Sequence, residues 1–146
     1  MNLGKWRLLV AAAGVGLLLL SACSKATPAS SGGGNVRTVR VKALDSLRFD
    51  PASVSAASGE AVRFVVTNVG KTDHEFVIGG EQVQMAHEDA MGDAGHMQME
   101  AMASLGLKPG ETKEATLTFD KPGKIMFACH EPGHYTGGMV GTITVG

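Results

Sequence analysis

Beyond residue 35 the chain is written in short runs with a period of two. Val39 and Val41 alternate with Arg40 and Lys42, and Val62, Phe64 and Val66 alternate with Arg63 and Val65. His74, Phe76 and Ile78 share one parity, as do Ala115, Leu117 and Phe119 against Thr116 and Thr118. Ile125, Phe127 and Cys129 follow on one face, and Met139, Gly141, Ile143 and Val145 share a face of a closing strand, Val140 to Val145. Such alternation sends successive side chains to opposite sides of a half-buried strand. Turn signals separate the runs: Phe49-Asp50-Pro51 ahead of Val54, then Ser58-Gly59-Glu60, then Asp120-Lys121-Pro122-Gly123. About seven such strands predict an all-β fold, an antiparallel sandwich. Residues 81–105 depart from this pattern. They show no strand alternation, and their good helix formers, interrupted by Gly92 and Gly95, predict one or two short helices outside the sandwich.

The same parity count places candidate chemistry. Cys129, His134 and Met139 stand in one run, Cys-His-Glu-Pro-Gly-His-Tyr-Thr-Gly-Gly-Met. A thiolate, an imidazole and a thioether together suit copper, and one further histidine completes a trigonal His2Cys site with a weak axial Met. His74 is the candidate: if Phe76 and Ile78 face the core, its side chain enters the interior end of the sandwich. Cys129 follows Phe127 and Ile125 inward, and Met139 precedes Ile143. Three ligands therefore reach one pole from strand ends, with His134 on the loop between them. Pro132-Gly133 and Gly137-Gly138 let that loop turn tightly. His130 has the opposite parity and reads as a surface histidine or one that supports the ligands from behind. Taken singly, Met139 would be a core methionine, His134 a loop histidine and Cys129 an inert buried thiol; their conjunction points to copper.

This ligand pattern resembles the cupredoxins, the type 1 or blue copper proteins, and its Cys-x4-His-x4-Met spacing looks most like the rusticyanin and auracyanin branches. The resemblance implies a Greek-key cupredoxin β-sandwich holding one type 1 copper on His74, Cys129, His134 and Met139, and an electron carrier rather than an enzyme. The dinuclear copper centre of cytochrome oxidase is a different matter, since it needs a second cysteine where this chain has Gly133. Nitrite reductases and multicopper oxidases need further domains and further histidines. Many electron carriers of the family place Asn or Ser after the first histidine; here the residue is Glu75.

The amino terminus indicates where such a protein would work. Lys5 and Arg7 precede an apolar stretch from Leu8 to Leu20, too short and wrongly flanked for an ordinary spanning helix, which reads as a secretory signal over residues 1–22. The following Leu20-Ser21-Ala22-Cys23 resembles a bacterial lipobox, making Cys23 the lipidated first residue of the mature chain on the periplasmic side of a membrane. Ser24 favours the outer membrane over the inner. Multiple acyl chains hold far better than a single marginal one. Residues 24–35, rich in Ser, Ala and Gly, read as a flexible linker. The chain has two cysteines, and lipid accounts for Cys23, so no internal disulfide is expected and Cys129 is a lone thiol in an oxidising compartment. Left unprotected it would be an oxidation liability, which favours a metal-bound or buried role.

Residues 36–146 have the size of one domain with a single core. Of the chain's 13 basic residues only Lys5, Arg7 and Lys25 precede residue 36, and all 14 acidic residues follow it, so this domain carries a net charge of about minus four. Nucleic acid is thereby an unsuitable partner, and a monomer docking on exported redox or copper-handling proteins is expected.

Five of the eight methionines fall in 81–105. Met85, Met91, Met97, Met99 and Met102, with His87 and His96, are candidate ligands for additional Cu(I), since thioethers and imidazoles are soft donors. His87 and Met91, four apart, would share a helical face. Adaptive packing over the sandwich or a partner-docking patch would use the same methionines. His74-Glu-Phe-Val-Ile-Gly, a Met/His-rich insertion, Leu107-Lys-Pro-Gly and the Cys129 to Met139 loop together are similar to periplasmic cupredoxins linked to bacterial copper resistance. Two readings follow: electron transfer first, which the ligand loop supports, and, as the alternative, copper capture or storage, which the insertion supports.

Overall fold

The computed structural model describes residues 36–92 and 101–146. Nine strands and one helix follow in the order β1 (Arg37–Leu44), β2 (Arg48–Asp50), β3 (Ser53–Ala56), β4 (Glu60–Asn68), β5 (His74–Gly79), α1 (Glu81–Gly92), β6 (Ala103–Leu107), β7 (Thr112–Phe119), β8 (Gly123–Ala128) and β9 (Val140–Val145). They form two sheets, ordered β2-β1-β4-β7 and β3-β9-β8-β5-β6. The signal segment 1–22, Cys23 and the linker lie outside the described residues.

The sandwich is not wholly antiparallel. β1 pairs parallel with β4, Val39 opposite Phe64, and β3 pairs parallel with β9, Val54 opposite Ile143. Between β1 and β4 the chain visits β3 in the other sheet, so β4 returns in the direction of β1. A period of two is the same in either orientation, which is why alternation alone does not distinguish them.

The 81–105 segment divides. α1 forms as expected and lies against β5 and β8. Its last residues as drawn from the sequence are instead strand: β6 extends the second sheet, with Leu105 opposite Phe76 and Leu107 opposite His74. Ala103, Leu105 and Leu107 do alternate in burial with Ser104 and Gly106. Pairing to an existing edge supplies what the short run lacks on its own.

All five phenylalanines lie in the shared core. Phe49 meets Phe76 and Phe127 edge-on at 5.5 and 5.3 Å between centroids, and Phe76 lies 5.0 Å from Phe127. Such pairs contribute about 0.5–1.5 kcal/mol each beyond their burial. Phe127 fits because its partner in the ladder is Gly141: a Cβ there would stand 2.1 Å from the ring. This close packing under β8 and β9 holds the ends of β5, β8 and β9 together. In the sheet order β9-β8-β5, the end of β8 lies beside the beginnings of its two antiparallel neighbours.

Candidate metal centre

His74 is the first residue of β5, Cys129 follows the last of β8, and Met139 precedes the first of β9. The strand pairing therefore brings all three to one pole. Between Cys129 and Met139 the chain makes a compact loop. The Cys129 N–H donates to Met139 O at 3.1 Å, and the Met139 N–H donates to His134 O at 2.9 Å. Gly133 and Gly138 adopt φ of +79° and +85°, a conformation that suits glycine. Gly137 leaves space in the loop, since a Cβ there would lie 2.9 Å from the Gly133 carbonyl oxygen and 2.5 Å from Leu47 Cδ1.

The side chains converge. Cys129 Sγ stands 3.3 Å from His134 Nδ1 and 3.9 Å from His74 Nδ1, and the three donor atoms lie within 4.8 Å of one another. First-row metal bonds of 2.0–2.3 Å, arranged trigonally, would separate their donors by about 3.7 Å, so the cradle has the size of one ion. His74, Cys129 and Met139 are fully buried, and His134 is only partly so. Two imidazole nitrogens, one thiol and a neighbouring thioether make a donor set that fits copper.

Burial acts on the two groups, His74 and Cys129, in opposite senses for a cation. Burial, reinforced by the nearby His134, holds His74 below the ordinary histidine range, so it stays neutral and able to ligate. Burial pushes the Cys129 thiol up, opposed by backbone N–H groups of Glu75 and Glu131. The Glu75 N–H lies 3.2 Å from the sulfur. A metal binding here must displace the thiol proton, and those N–H groups then serve the thiolate. The loop that delivers His74 is tied by Asn68, which is buried. Its Nδ2 donates to Thr72 O at 2.7 Å and Leu107 O at 3.0 Å, and its Oδ1 accepts from the Gly70 N–H.

His130 is not at the surface. It is buried, with Nδ1 2.8 Å from Glu88 Oε2 and Nε2 2.8 Å from Gln84 Oε1. The opposite parity holds; the face it occupies is covered by α1, which the strand pattern could not show. Tyr135 stacks on its ring at 4.8 Å.

Of the candidate secondary ligands, His87 is engaged with protein: its Nε2 lies 3.2 Å from Glu75 Oε2. Met85 points outward, 56% exposed. Met102 is 44% exposed, and its N–H bonds to Ile78 O, towards the end of β5 away from His74. Met91 is in the last turn of α1 with its side chain outside the described part, and His96, Met97 and Met99 lie outside the described residues. Sequence reasoning did not single out Gln84, Glu88, Asn68 or Asp45. Gln84 and Glu88, four apart on a predicted helix, carried a signal; the other two carried none.

Residues 36–146 match copper binding proteins of the plastocyanin/azurin family. The copper-resistant cuproprotein CopI of Rubrivivax gelatinosus is 41% identical over 109 residues, covering 75% of this chain and 66% of that protein. Its namesake in Vibrio cholerae is 40% identical over 90 residues, covering 62% of this chain and 53% of that protein, so the match spans between half and two thirds of these relatives' length. Among solved structures, the dithionite-reduced auracyanin of Roseiflexus castenholzii superposes with a TM-score of 0.67 at 27% identity, over 77% of this chain and 99% of that one. The two-sheet fold and the sequence agree, and this chain belongs to the plastocyanin/azurin family of copper-binding proteins.

Proposed function

We propose that this protein carries single electrons through one type 1 copper held by His74, Cys129, His134 and Met139. The observation that carries the reading is the convergence of two Nδ1 atoms on one thiol sulfur in a buried cradle. Copper bound there would supply a one-electron Cu(I)/Cu(II) couple. The chain's own residues exclude water from the thiol, offer it backbone N–H donors and hold the donors on the ends of three paired strands, so that little has to move when charge changes. His134, the partly exposed member of the set, brings the site to the surface where an exported redox partner would dock. The likeness to auracyanin, whose structure is of a reduced form, supports a redox role. The lipobox-like segment at Cys23 and the linker after it support anchorage on the periplasmic side of a bacterial membrane.

A second reading is copper handling. It is supported by the relatives named copper-resistant cuproproteins and by the Met/His-rich run that includes Met85, Met91, His96, Met97, Met99 and Met102. Here the run would capture Cu(I) and the buried site would store or oxidise it.

Titrating Cu(II) into residues 36–146 while recording the visible spectrum tests the first reading. An intense thiolate-to-copper band saturating at one equivalent supports it; copper bound without such a band refutes the proposed ligand set. Deleting residues 85–102 separates the readings. Electron transfer kept but copper tolerance lost favours handling, and the reverse favours shuttling.

A further inference from the structure

We infer that Asp45 is a positioning residue for the metal centre: its carboxylate accepts the Nε2 proton of His74, aims Nδ1 at the metal and favours the more positive oxidation state. The inference rests on the type 1 reading of the site. His74 Nε2 is the one buried side-chain polar atom among the described residues with no hydrogen-bond partner. It stands 3.4 Å from Asp45 Oδ1, within ion-pair distance but off the hydrogen-bond direction. A neutral imidazole that ligates through Nδ1 must carry its proton on Nε2. The ring is buried, so water does not take that proton, and Asp45 is the acceptor in reach. Carboxylates behind metal-bound histidines set ring orientation and basicity in this way.

The carboxylate is itself held in place. It accepts from the Lys71 N–H at 2.8 and 3.0 Å, from the Thr72 N–H at 3.3 Å and from the Thr72 hydroxyl at 3.0 Å. Gly70 leaves the room for it, since a Cβ there would stand 2.1 Å from Asp45 Oδ1 and 3.2 Å from His74 Nε2. The turn that carries Asp45 also braces the opposite side of the centre. Leu47, at φ 56°, packs at the Gly137 position, and Arg48 Nη1 donates to Gly138 O at 3.2 Å, next to Met139. One turn between β1 and β2 thus touches both the His74 and the Met139 ends of the ligand set, without belonging to either ligand loop.

Cu(II) bears one more positive charge than Cu(I), so a fixed carboxylate behind His74 lowers the reduction potential, and neutralising it raises the potential. The test compares Asp45→Asn with Asp73→Asn in the copper-loaded full chain. Asp73 is a carboxylate at the same pole, paired with Lys108 on the surface, that does not face Nε2. Asp45→Asn is expected to keep the thiolate band and shift the Cu(I)/Cu(II) balance towards Cu(I) by about tenfold, which for one electron is 59 mV. Asp73→Asn is expected to shift it less. If Asp45→Asn does not fold, as judged by its metal-free melting, Gly70→Ala replaces it, since it displaces the carboxylate without changing charge and should shift the potential the same way. A shift no larger than that of Asp73→Asn overturns the inference alone. Absence of the thiolate band in the parent chain overturns the type 1 reading and the inference with it.

Discussion

The Glu75 N–H donates to Cys129 Sγ across 3.2 Å, joining residues 54 apart in sequence. Where the resemblance to type 1 electron carriers implies Asn or Ser, this chain has Glu75. The donor to sulfur here is the backbone, so it survives the change of side chain. Glu75 then spends its carboxylate elsewhere: Oε2 lies 3.2 Å from His87 Nε2, and Oε1 accepts from the Ser104 hydroxyl at 3.1 Å. The residue beside one ligand thereby ties the helix and the edge strand to the sheet.

Glu75→Ala separates the two roles. It leaves the N–H to the thiolate and removes the links to α1 and β6. The thiolate band of the copper-loaded variant should keep its position, while the metal-free protein should lose about 1 kcal/mol of stability, read by denaturant unfolding. A displaced band would mean that the side chain, not the backbone, governs the sulfur.

Cys129→Ser should abolish the intense visible band, because a hydroxyl at that position offers no soft, strongly coupled donor. Its cost in copper affinity should exceed the 10–100-fold typical of changing an outer partner of a ligand. Spectra and competition binding on the purified variant decide it, and a retained band would refute the ligand assignment.

Met139→Leu keeps the volume of a fully buried side chain, so it should cost less than about 1.5 kcal/mol in stability. Copper should remain bound by the three stronger donors. Without a thioether near the site the oxidised state is less supported, and the potential should rise in a potentiometric titration. Loss of copper from this variant would show that Met139 is a required ligand rather than a weak one.

How much of this was legible beforehand depended on whether a feature was local. The closing strand, Val140–Val145, lies where alternation places it, and the loop is readable as a candidate site because three candidate ligands fall within eleven consecutive residues. β6 was hidden because its three apolar positions, Ala103, Leu105 and Leu107, follow directly on a Met-rich run and enclose Gly106. The parallel pairing of β1 with β4 was invisible because both orientations share one period. Asp45, in the turn after β1, and Asn68, the last residue of β4, are single polar residues whose roles exist only once the chain has brought β1, β4 and β5 together. His130 was placed on the correct side of its strand, but its burial required knowing that α1 folds back over it.

Gln84 is the point where that folding back is secured. Its Nε2 donates to Val77 O at 3.1 Å, with Gly79 O and Met126 O at 3.4 and 3.3 Å, and its Oε1 faces His130. The side chain is fully buried. Gln84→Ala would strand these partners and should destabilise the protein by about 1–3 kcal/mol. Hydrogen exchange should show α1 opening first, with amides of β5 and β8 less affected. Equal protection of α1 in the variant would mean that the helix is held by other contacts.

The pH dependence of the metal-free protein follows from two buried groups of the candidate site, His74 and Cys129. His74 is held below its ordinary 6.5, chiefly by burial, so as pH falls past that value the unfolded chain takes up a proton that the folded chain resists. The unfolded state then binds more protons, and stability falls with pH until the lower folded value is passed. Cys129 is held above its ordinary 9.0, again chiefly by burial, so above that pH the unfolded chain loses a proton the folded chain keeps, and stability falls as pH rises. Stability should therefore be greatest between these two values. Copper needs a neutral His74 and a deprotonated Cys129, so loading the site should release a proton and make binding weaken as pH falls. Urea unfolding of the metal-free chain across this range checks the first statement, and a His74→Gln variant should flatten the acid limb alone. An unchanged acid limb in that variant would assign the loss to another group.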